Sequence, residues 1–448
     1  MATTTTPSSV RVKEALLVTP SDPTPTGILH LSAIDSQLFL RFTVEYLFVY
    51  RPPSSLHQAT VVTRVKSALA RALVPYYPFS GRVRPRADVT GGLEVVCRGQ
   101  GALFIEAFSD VYTAKDFDKA PKTVTQWRKL LSLYVPDVLK GSPPLVVQLT
   151  WLADGAAAVG VGINHALCDG IGSAEFLNYF AKLASGPRDF DPKPRPVWDR
   201  HIMNPPPSKK NDRAKGNSYS YSHSHAEFAR VPDLCGFMNK VTTGLRPTSI
   251  VFNKRRINEL KGIARYSSES SSSSHTSFEV IAAHVWRSWA RALGFPPNQQ
   301  LKILFSINVR NRVKPNLPEG YYGNAFVLGC AQSSAKDLAE KGIGYGSGLV
   351  KRAKERVDGE YVRRVSELVS EWRASPDPVG VLIVSQWSRL GLDRVEFMGR
   401  PIHVGPICWD RYCLFLPVRD EAESVRVAVA VPAAAFDSYH RFIGESNL

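Results

Sequence analysis

Apolar residues recur along the chain at two spacings, every second residue and every third or fourth. The stretches that obey each rule outline the fold. Residues 10–20 follow the strand rule. Residues 59–73 follow the helical one, with Val61, Val62, Val65, Leu69 and Ala72 on a single face. The next segment, Leu73-Val74-Pro75-Tyr76-Tyr77-Pro78-Phe79-Ser80-Gly81-Arg82, stops that helix with two prolines and reads as a rigid aromatic corner packed in the core. Residues 145–151 and 157–163 are β-rich runs on either side of Asp154-Gly155, a dipeptide suited to a hairpin turn. Beyond them Ile171, Ala174, Leu177, Ala181 and Ala184 return at helical spacing, so an amphipathic helix opens at Gly170. Helices are further predicted at 278–293 and 360–372, and strands at 301–308, 325–330 and 425–431.

Strands and helices mixed without strict alternation predict an α/β protein in two layered halves. A chain of 448 residues exceeds what one core usually serves, so two units of roughly 200 residues each are expected. From residue 187 to about residue 245 the composition changes, with Pro192, Pro194, Pro196, Pro205, Pro206 and Pro207, then Ser, Asn, Lys and His, and few apolar side chains. The expected division is an N-terminal domain over 1–190, a crossover linker over 191–245 and a C-terminal domain over 246–448. Ser-rich residues 267–274 predict a second flexible loop. No repeat of fixed period is visible.

Composition narrows the function classes. Apolar residues make up 44% and charged residues 21%, as in ordinary globular proteins. No stretch approaches the ~20 apolar residues of a membrane-spanning helix, and the Thr- and Ser-rich start lacks the apolar centre of a secretory signal; a cytoplasmic protein without a membrane span is expected. Cys97, Cys168, Cys235, Cys330, Cys408 and Cys413 form no C-x-x-C pair, which suits reduced, buried thiols better than a disulfide framework. Neither the Cys408–Cys413 spacing nor His223-Ser-His225 has the strength of a ligand set, and no metal is expected. The net charge of +16 admits nucleic acid, an anionic membrane or a small phosphate-bearing ligand. Basic residues are spread along the chain in short clusters such as Lys209-Lys210 and Lys254-Arg255-Arg256, which favours the last and argues against nucleic acid.

The candidate chemistry lies in His165-Ala166-Leu167-Cys168-Asp169, followed by Gly170 and Gly172, where the second β-run gives way to the helix. A neutral imidazole, with a reference pKa of ~6.5, can take a proton from a hydroxyl or amine and return it to a leaving thiolate, as acyl transfer from a thioester requires. Asp169 can orient the ring or hold the shape of the loop, and the geometry of a turn favours the second. The two glycines allow a sharp turn and a close backbone approach.

Assembled with other segments, this frame resembles the plant BAHD acyltransferases, the coenzyme-A-dependent H-x-x-x-D enzymes of specialised metabolism. The resemblance spans nearly the whole chain. Tyr76-Tyr77-Pro78-Phe79-Ser80-Gly81-Arg82 is similar to the family's Y-Y-P-x-A-G-R turn, and His165 to Gly170 matches its catalytic frame. Ser277-Phe278-Glu279-Val280-Ile281-Ala282-Ala283-His284-Val285-Trp286-Arg287 is similar too, as is Asn308-Val309-Arg310-Asn311-Arg312 with Pro318-Glu319-Gly320-Tyr321-Tyr322-Gly323-Asn324-Ala325. The family's second signature, D-F-G-W-G-K-P, is altered to Val395-Glu396-Phe397-Met398-Gly399-Arg400-Pro401. In the family that loop is generally read as structural, its Asp paired to an Arg; if Glu396 pairs with Arg310 or Arg312, its longer side chain offsets the missing residue.

The resemblance implies two chloramphenicol-acetyltransferase-like domains, each a mixed sheet with flanking helices, joined by a long crossover around an active-site channel. It implies His165 as general base with Asp169 structural, and no acyl-enzyme. Ser385 and Trp387, in Val384-Ser385-Gln386-Trp387, match a family Thr-Ser-Trp stretch facing the reacting centre and are candidate oxyanion donors. Lys254, Arg255, Lys261, Thr276 and Ser277 are candidates for the coenzyme phosphates, the last two at a helix N-terminus. Residues 32–37 and 401–409, with Ile34, Phe39 and Trp409 nearby, are expected to line the acceptor side. Acyl-CoA enters as co-substrate with no permanently bound cofactor; the acceptor is a small alcohol or amine, and the protein is expected to be a monomer. The acyl group is expected to be aromatic, such as hydroxycinnamoyl, or short aliphatic. A non-catalytic partner built on the same fold is the alternative that the altered loop raises.

Overall fold

Two six-stranded mixed sheets carry the architecture of the computed structural model, which describes residues 9–89, 91–132, 139–186, 194–204, 225–266 and 274–445. The first sheet runs in the order Arg11–Val18, Ala102–Phe108, Leu145–Trp151, Ala157–Asn164, Thr43–Tyr50, His403–Pro406. The second runs Phe326–Ser334, Gln300–Asn308, Val381–Gln386, Cys413–Pro417, Val425–Pro432, Leu245–Phe252. A small third sheet joins Gly27–His30, Leu93–Cys97 and Arg82–Pro85. The Asp154-Gly155 turn closes an antiparallel hairpin whose two strands are buried at every position. Strands covered on both faces read as continuous apolar runs, which is why this pair was legible.

Each sheet has its own core. The Gln58–Ala72 helix buries Val61, Val62, Val65, Ala68, Leu69 and Ala72, and packs against the Gly170–Ser185 helix. The corner at Tyr76 fills the space beside them, its ring 5.2 Å from Phe176 and 5.4 Å from Tyr322. Over the second sheet lies the Ser277–Leu293 helix, opened by a reciprocal Thr276–Glu279 cap and closed by Gly294 at φ 53°. Two segments change sides. Ile34 belongs to the second core, while Val395, Phe397, Met398 and Ile407 belong to the first.

Several elements have no counterpart in the sequence pattern, and three of them show why. Thr43–Tyr50 mixes Glu45 into an apolar run, and Lys254–Tyr266 is mostly polar. Ile343–Glu355 holds Gly344, Gly346 and Gly348, yet is helical because Gly346 lets it lie against Ala283, where an added Cβ would come within 3.2 Å. Within the expected linker, Val197 bridges Tyr321, and Arg200, His225 and Glu227 are buried. Lys209-Lys210, His223 and residues 267–273 lie outside the described residues. Among the described residues no helix is long and apolar enough to cross a membrane.

Candidate active site

His165 follows directly on the Ala157–Asn164 strand, so the rigidity of a central strand is passed to the imidazole. Its backbone N–H donates to the Phe42 carbonyl at 2.9 Å, and the turn is closed by Leu167 N–H on Asn164 O and by Ala166 N–H on the Asn164 side chain, each at 3.0 Å. The ring sits between Phe42, edge-on at 5.3 Å, and Phe326 at 5.9 Å. The residue keeps partial exposure, the access a substrate needs. Burial lowers the imidazole pKa below its usual value; its own backbone carbonyl, the charge of Asp169, the Asn324 amide and the charge of Asp35 pull the other way. The ring is therefore neutral at neutral pH, with a lone pair free to accept a proton.

Asp169 is committed elsewhere. Its carboxylate accepts four hydrogen bonds, from Gly172 N–H (3.0 Å), Ala325 N–H (3.0 Å) and both terminal nitrogens of Arg310 (2.8 and 3.0 Å). It thus caps the Gly170–Ser185 helix and ties it to the Tyr321–Ala325 segment of the second half. Gly172 is obligatory at this junction, because an added Cβ would lie 2.0 Å from the Tyr322 carbonyl oxygen.

Behind the turn a second buried network converges. Arg200 donates to Asp35 at 3.4 Å and to the Leu167 carbonyl at 2.8 Å, its guanidinium 4.4 Å from the Tyr322 ring centre. Asn324 donates its side-chain amide to Asp35 and to the His165 carbonyl, both at 2.8 Å. Gly323 makes room for this, since a Cβ there would overlap the Arg200 guanidinium at 1.6 Å. A cleft of about 540 Å³ opens along the helix beside the frame, lined in part by Tyr76, Glu175, Asn178 and Arg389. Burial, with the charge of Asp169 adding to it, raises Glu175 to about 7 despite the opposing Arg310.

Ser385 and Trp387 stand at the end of the Val381–Gln386 strand. Trp387 is buried and packs on Tyr46 of the first sheet, ring centres 4.9 Å apart, and Tyr46 in turn bonds Ser173 at the start of the Gly170–Ser185 helix. The coenzyme candidates are scattered over one helix and the start of the next. Lys254 pairs with Glu423 at 2.6 Å and Arg255 with Glu259 at 3.5 Å, while Lys261 is half-buried. Thr276 spends its hydroxyl and N–H on the Glu279 cap, and Ser277 is the first helical residue. Of the acceptor-side candidates, Ile34 and Trp409 are buried in the cores and Phe39 is half-buried.

Glu396 pairs with neither Arg310 nor Arg312 among the described residues. Arg310 is taken by Asp169, and Arg312 donates to the Lys354 and Val357 carbonyls. Glu396 is exposed between buried Val395 and Phe397, where the extended backbone turns it to solvent. The altered loop still packs, Tyr50 donating its hydroxyl to the Val395 carbonyl at 2.7 Å.

Pattern reading passed over Asp35, Arg200 and the role of Asn324. A Ser32-x-x-Asp35 spacing in an apolar surround and an Arg inside a proline-rich stretch were the available signals.

The whole chain has recognisable relatives. A family model described as "Transferase family" matches residues 8–441. Taxadien-5-alpha-ol O-acetyltransferase of Taxus chinensis is 31% identical over 443 residues, covering 96% of this chain and 95% of the relative. The crystal structure of vinorine synthase superposes with a TM-score of 0.72 at 19% identity over 96% of each chain. That of F. sporotrichioides TRI101 complexed with coenzyme A and T-2 gives 0.70 at 14% identity, over 92% of this chain and 97% of that one. The two mixed sheets with flanking helices are the fold of those structures, and the chain belongs to the Transferase family, the BAHD acyltransferases.

Proposed function

We propose that the protein transfers an acyl group from coenzyme A to the hydroxyl or amine of a small plant metabolite, with His165 as general base. The observation that carries this is the neutral, aromatic-flanked imidazole on a strand end whose turn is pinned by Asp169 and Arg310. The O-acetyltransferase named among its relatives supports a hydroxyl acceptor, and acyl-CoA, the co-substrate of the family, supplies the thioester.

In this mechanism His165 Nε2 takes the acceptor's proton as its oxygen or nitrogen attacks the thioester carbonyl carbon. The new bond makes a tetrahedral oxyanion, which the Ser385 hydroxyl and Trp387 Nε1–H stabilise. Collapse breaks the C–S bond, and the imidazolium returns the proton to the departing thiolate. No enzyme nucleophile is needed and no acyl-enzyme forms. Asp169 holds the turn and takes no proton.

The test is free-thiol release from a panel of acyl-CoA donors with alcohols and amines, comparing wild type with His165→Ala. A loss of about 10²- to 10⁴-fold in the variant is expected for removal of a general base. Equal turnover by both proteins, or none by wild type across the panel, refutes the assignment.

A further inference from the structure

We propose that the cavity between the loop at residues 31–41, the Gly91-Gly92 stretch and the end of the Gly359–Trp372 helix is an oxyanion site, in which Arg41 and Arg373 hold one carboxylate or phosphate group between them. Its ligand is a small molecule that carries this acid group on an apolar body. Only the assignment of that molecule to a co-substrate rests on the proposed acyl transfer; the site stands without it.

The argument is one of unmatched charge. The cavity holds about 230 Å³, and its lining has three arginines, Arg41, Arg86 and Arg373, and no aspartate or glutamate. Arg86 is matched already, donating to both oxygens of Asp88 at 2.9 and 2.5 Å. Arg41 spends one terminal nitrogen on the Ser36 and Gly91 carbonyls, at 3.2 and 2.6 Å, and its Nε is buried without a partner. Arg373 follows the helix in left-handed backbone at φ 51°, a position that usually selects glycine or asparagine. Its side chain lies along Gly91, where an added Cβ would meet Arg373 Nε at 3.3 Å. Two guanidinium groups, one from each half of the protein, thus converge on a single glycine. The like charges repel, and with burial the charge of Arg373 holds Arg41 below its usual pKa. An oxyanion between them removes the repulsion and accepts from the unused N–H groups.

The remaining lining describes the rest of the ligand. Asn204 gives its Oδ1 to Ala33 N–H at 2.9 Å and keeps its NH₂ group as a further donor. Leu38 and Val89 at the cavity, and Trp372 beside Arg373, are exposed apolar side chains, which suit an apolar body behind the acid. Phe42, next in the chain to Arg41, meets the His165 ring edge-on at 5.3 Å, so cavity and imidazole share one loop. That proximity assigns the acid group to a co-substrate, as a carboxylate of the acceptor or a phosphate of the coenzyme.

Calorimetric titration at constant ionic strength with benzoate, phenyl phosphate and uncharged benzamide reads the site without turnover. Wild type is expected to bind the two anions and not benzamide. Arg373→Gln is expected to weaken both anions by about 10- to 100-fold, the loss of one charge-assisted bond. Without ligand its Tm should equal or exceed that of wild type, because a repulsion is gone, whereas an arginine needed only for structure would lower it. Arg41→Gln should weaken binding similarly; should it not fold, Arg373→Gln still decides. Equal affinities in wild type and Arg373→Gln, equal binding of benzamide, or a lower Tm of the ligand-free variant overturns the proposal. Kinetics then names the source, with straight-chain hydroxy acids and their primary amides as paired acceptors. A KM raised about tenfold or more in Arg373→Gln for the acids alone puts the anion on the acceptor, and the same rise for acyl-CoA puts it on the coenzyme. Binding lost with every KM unchanged refutes the co-substrate assignment and leaves the site to a free anion. Absence of turnover in wild type would refute the acyl-transfer reading instead, and the titration would still decide the site.

Discussion

Asp169→Asn separates holding the turn from sharing the proton. The substitution keeps shape and volume but replaces one acceptor oxygen with an NH₂ donor. If the remaining oxygen stays on Gly172 N–H, the new amide points at Ala325 N–H and an Arg310 nitrogen, two donors that now face a donor. Arg310 is left mostly buried without its counter-charge. Breaking a buried pair from one side costs about 3–5 kcal/mol, a large part of the roughly 5–15 kcal/mol that holds a domain folded. At about 2–4 °C per kcal/mol, Tm should fall by roughly 6 to 20 °C in thermal unfolding followed by circular dichroism. The pH profile supplies the second readout. In the proposed reaction the neutral imidazole takes the proton, so kcat/KM is expected to rise with pH through the His165 pKa, which burial lowers. Asp169 is one of the charges raising that pKa, so its neutralisation should move the limb to lower pH without abolishing it. Per folded molecule the loss should stay below the ~10²- to 10⁴-fold expected of His165→Ala. An unchanged Tm with collapsed turnover, or disappearance of the limb, would refute the structural assignment.

Two further outcomes follow from the same geometry. Glu175, raised from 4.5 to about 7, binds its proton more tightly folded than unfolded, so its contribution to stability is complete below pH 4.5 and is lost as pH rises through 7. Glu175→Gln should raise Tm at pH 8 and leave it unchanged at pH 5; an equal gain at both would show that the charge is not the cause. Gly172→Ala forces a Cβ against the Tyr322 carbonyl at 2.0 Å, where backbone must move, and should lower Tm and turnover together, whereas wild-type values for both would show that the contact yields freely.

The sequence by itself determined what depends on near neighbours along the chain. The 145–151 and 157–163 runs with their hairpin turn, the helix opening at Gly170 and the placing of His165 at their junction come from periodicity and turn chemistry, which act over a few residues. Turn geometry favoured a structural Asp169, and the resemblance extended the reading to the family. Tertiary structure decided whatever pairs residues far apart. Arg310 could have met Glu396, and nothing in either segment forbids it; only the fold delivers Asp169 to the guanidinium and turns Glu396 to solvent. Ile34 and Ile407 each join the core of the other half, exchanges that no local pattern records. Asp35, Arg200 and Asn324 lie in a loop, a proline-rich crossover and a glycine turn, and become one network only when burial removes water and leaves each polar group to find its partner in the protein.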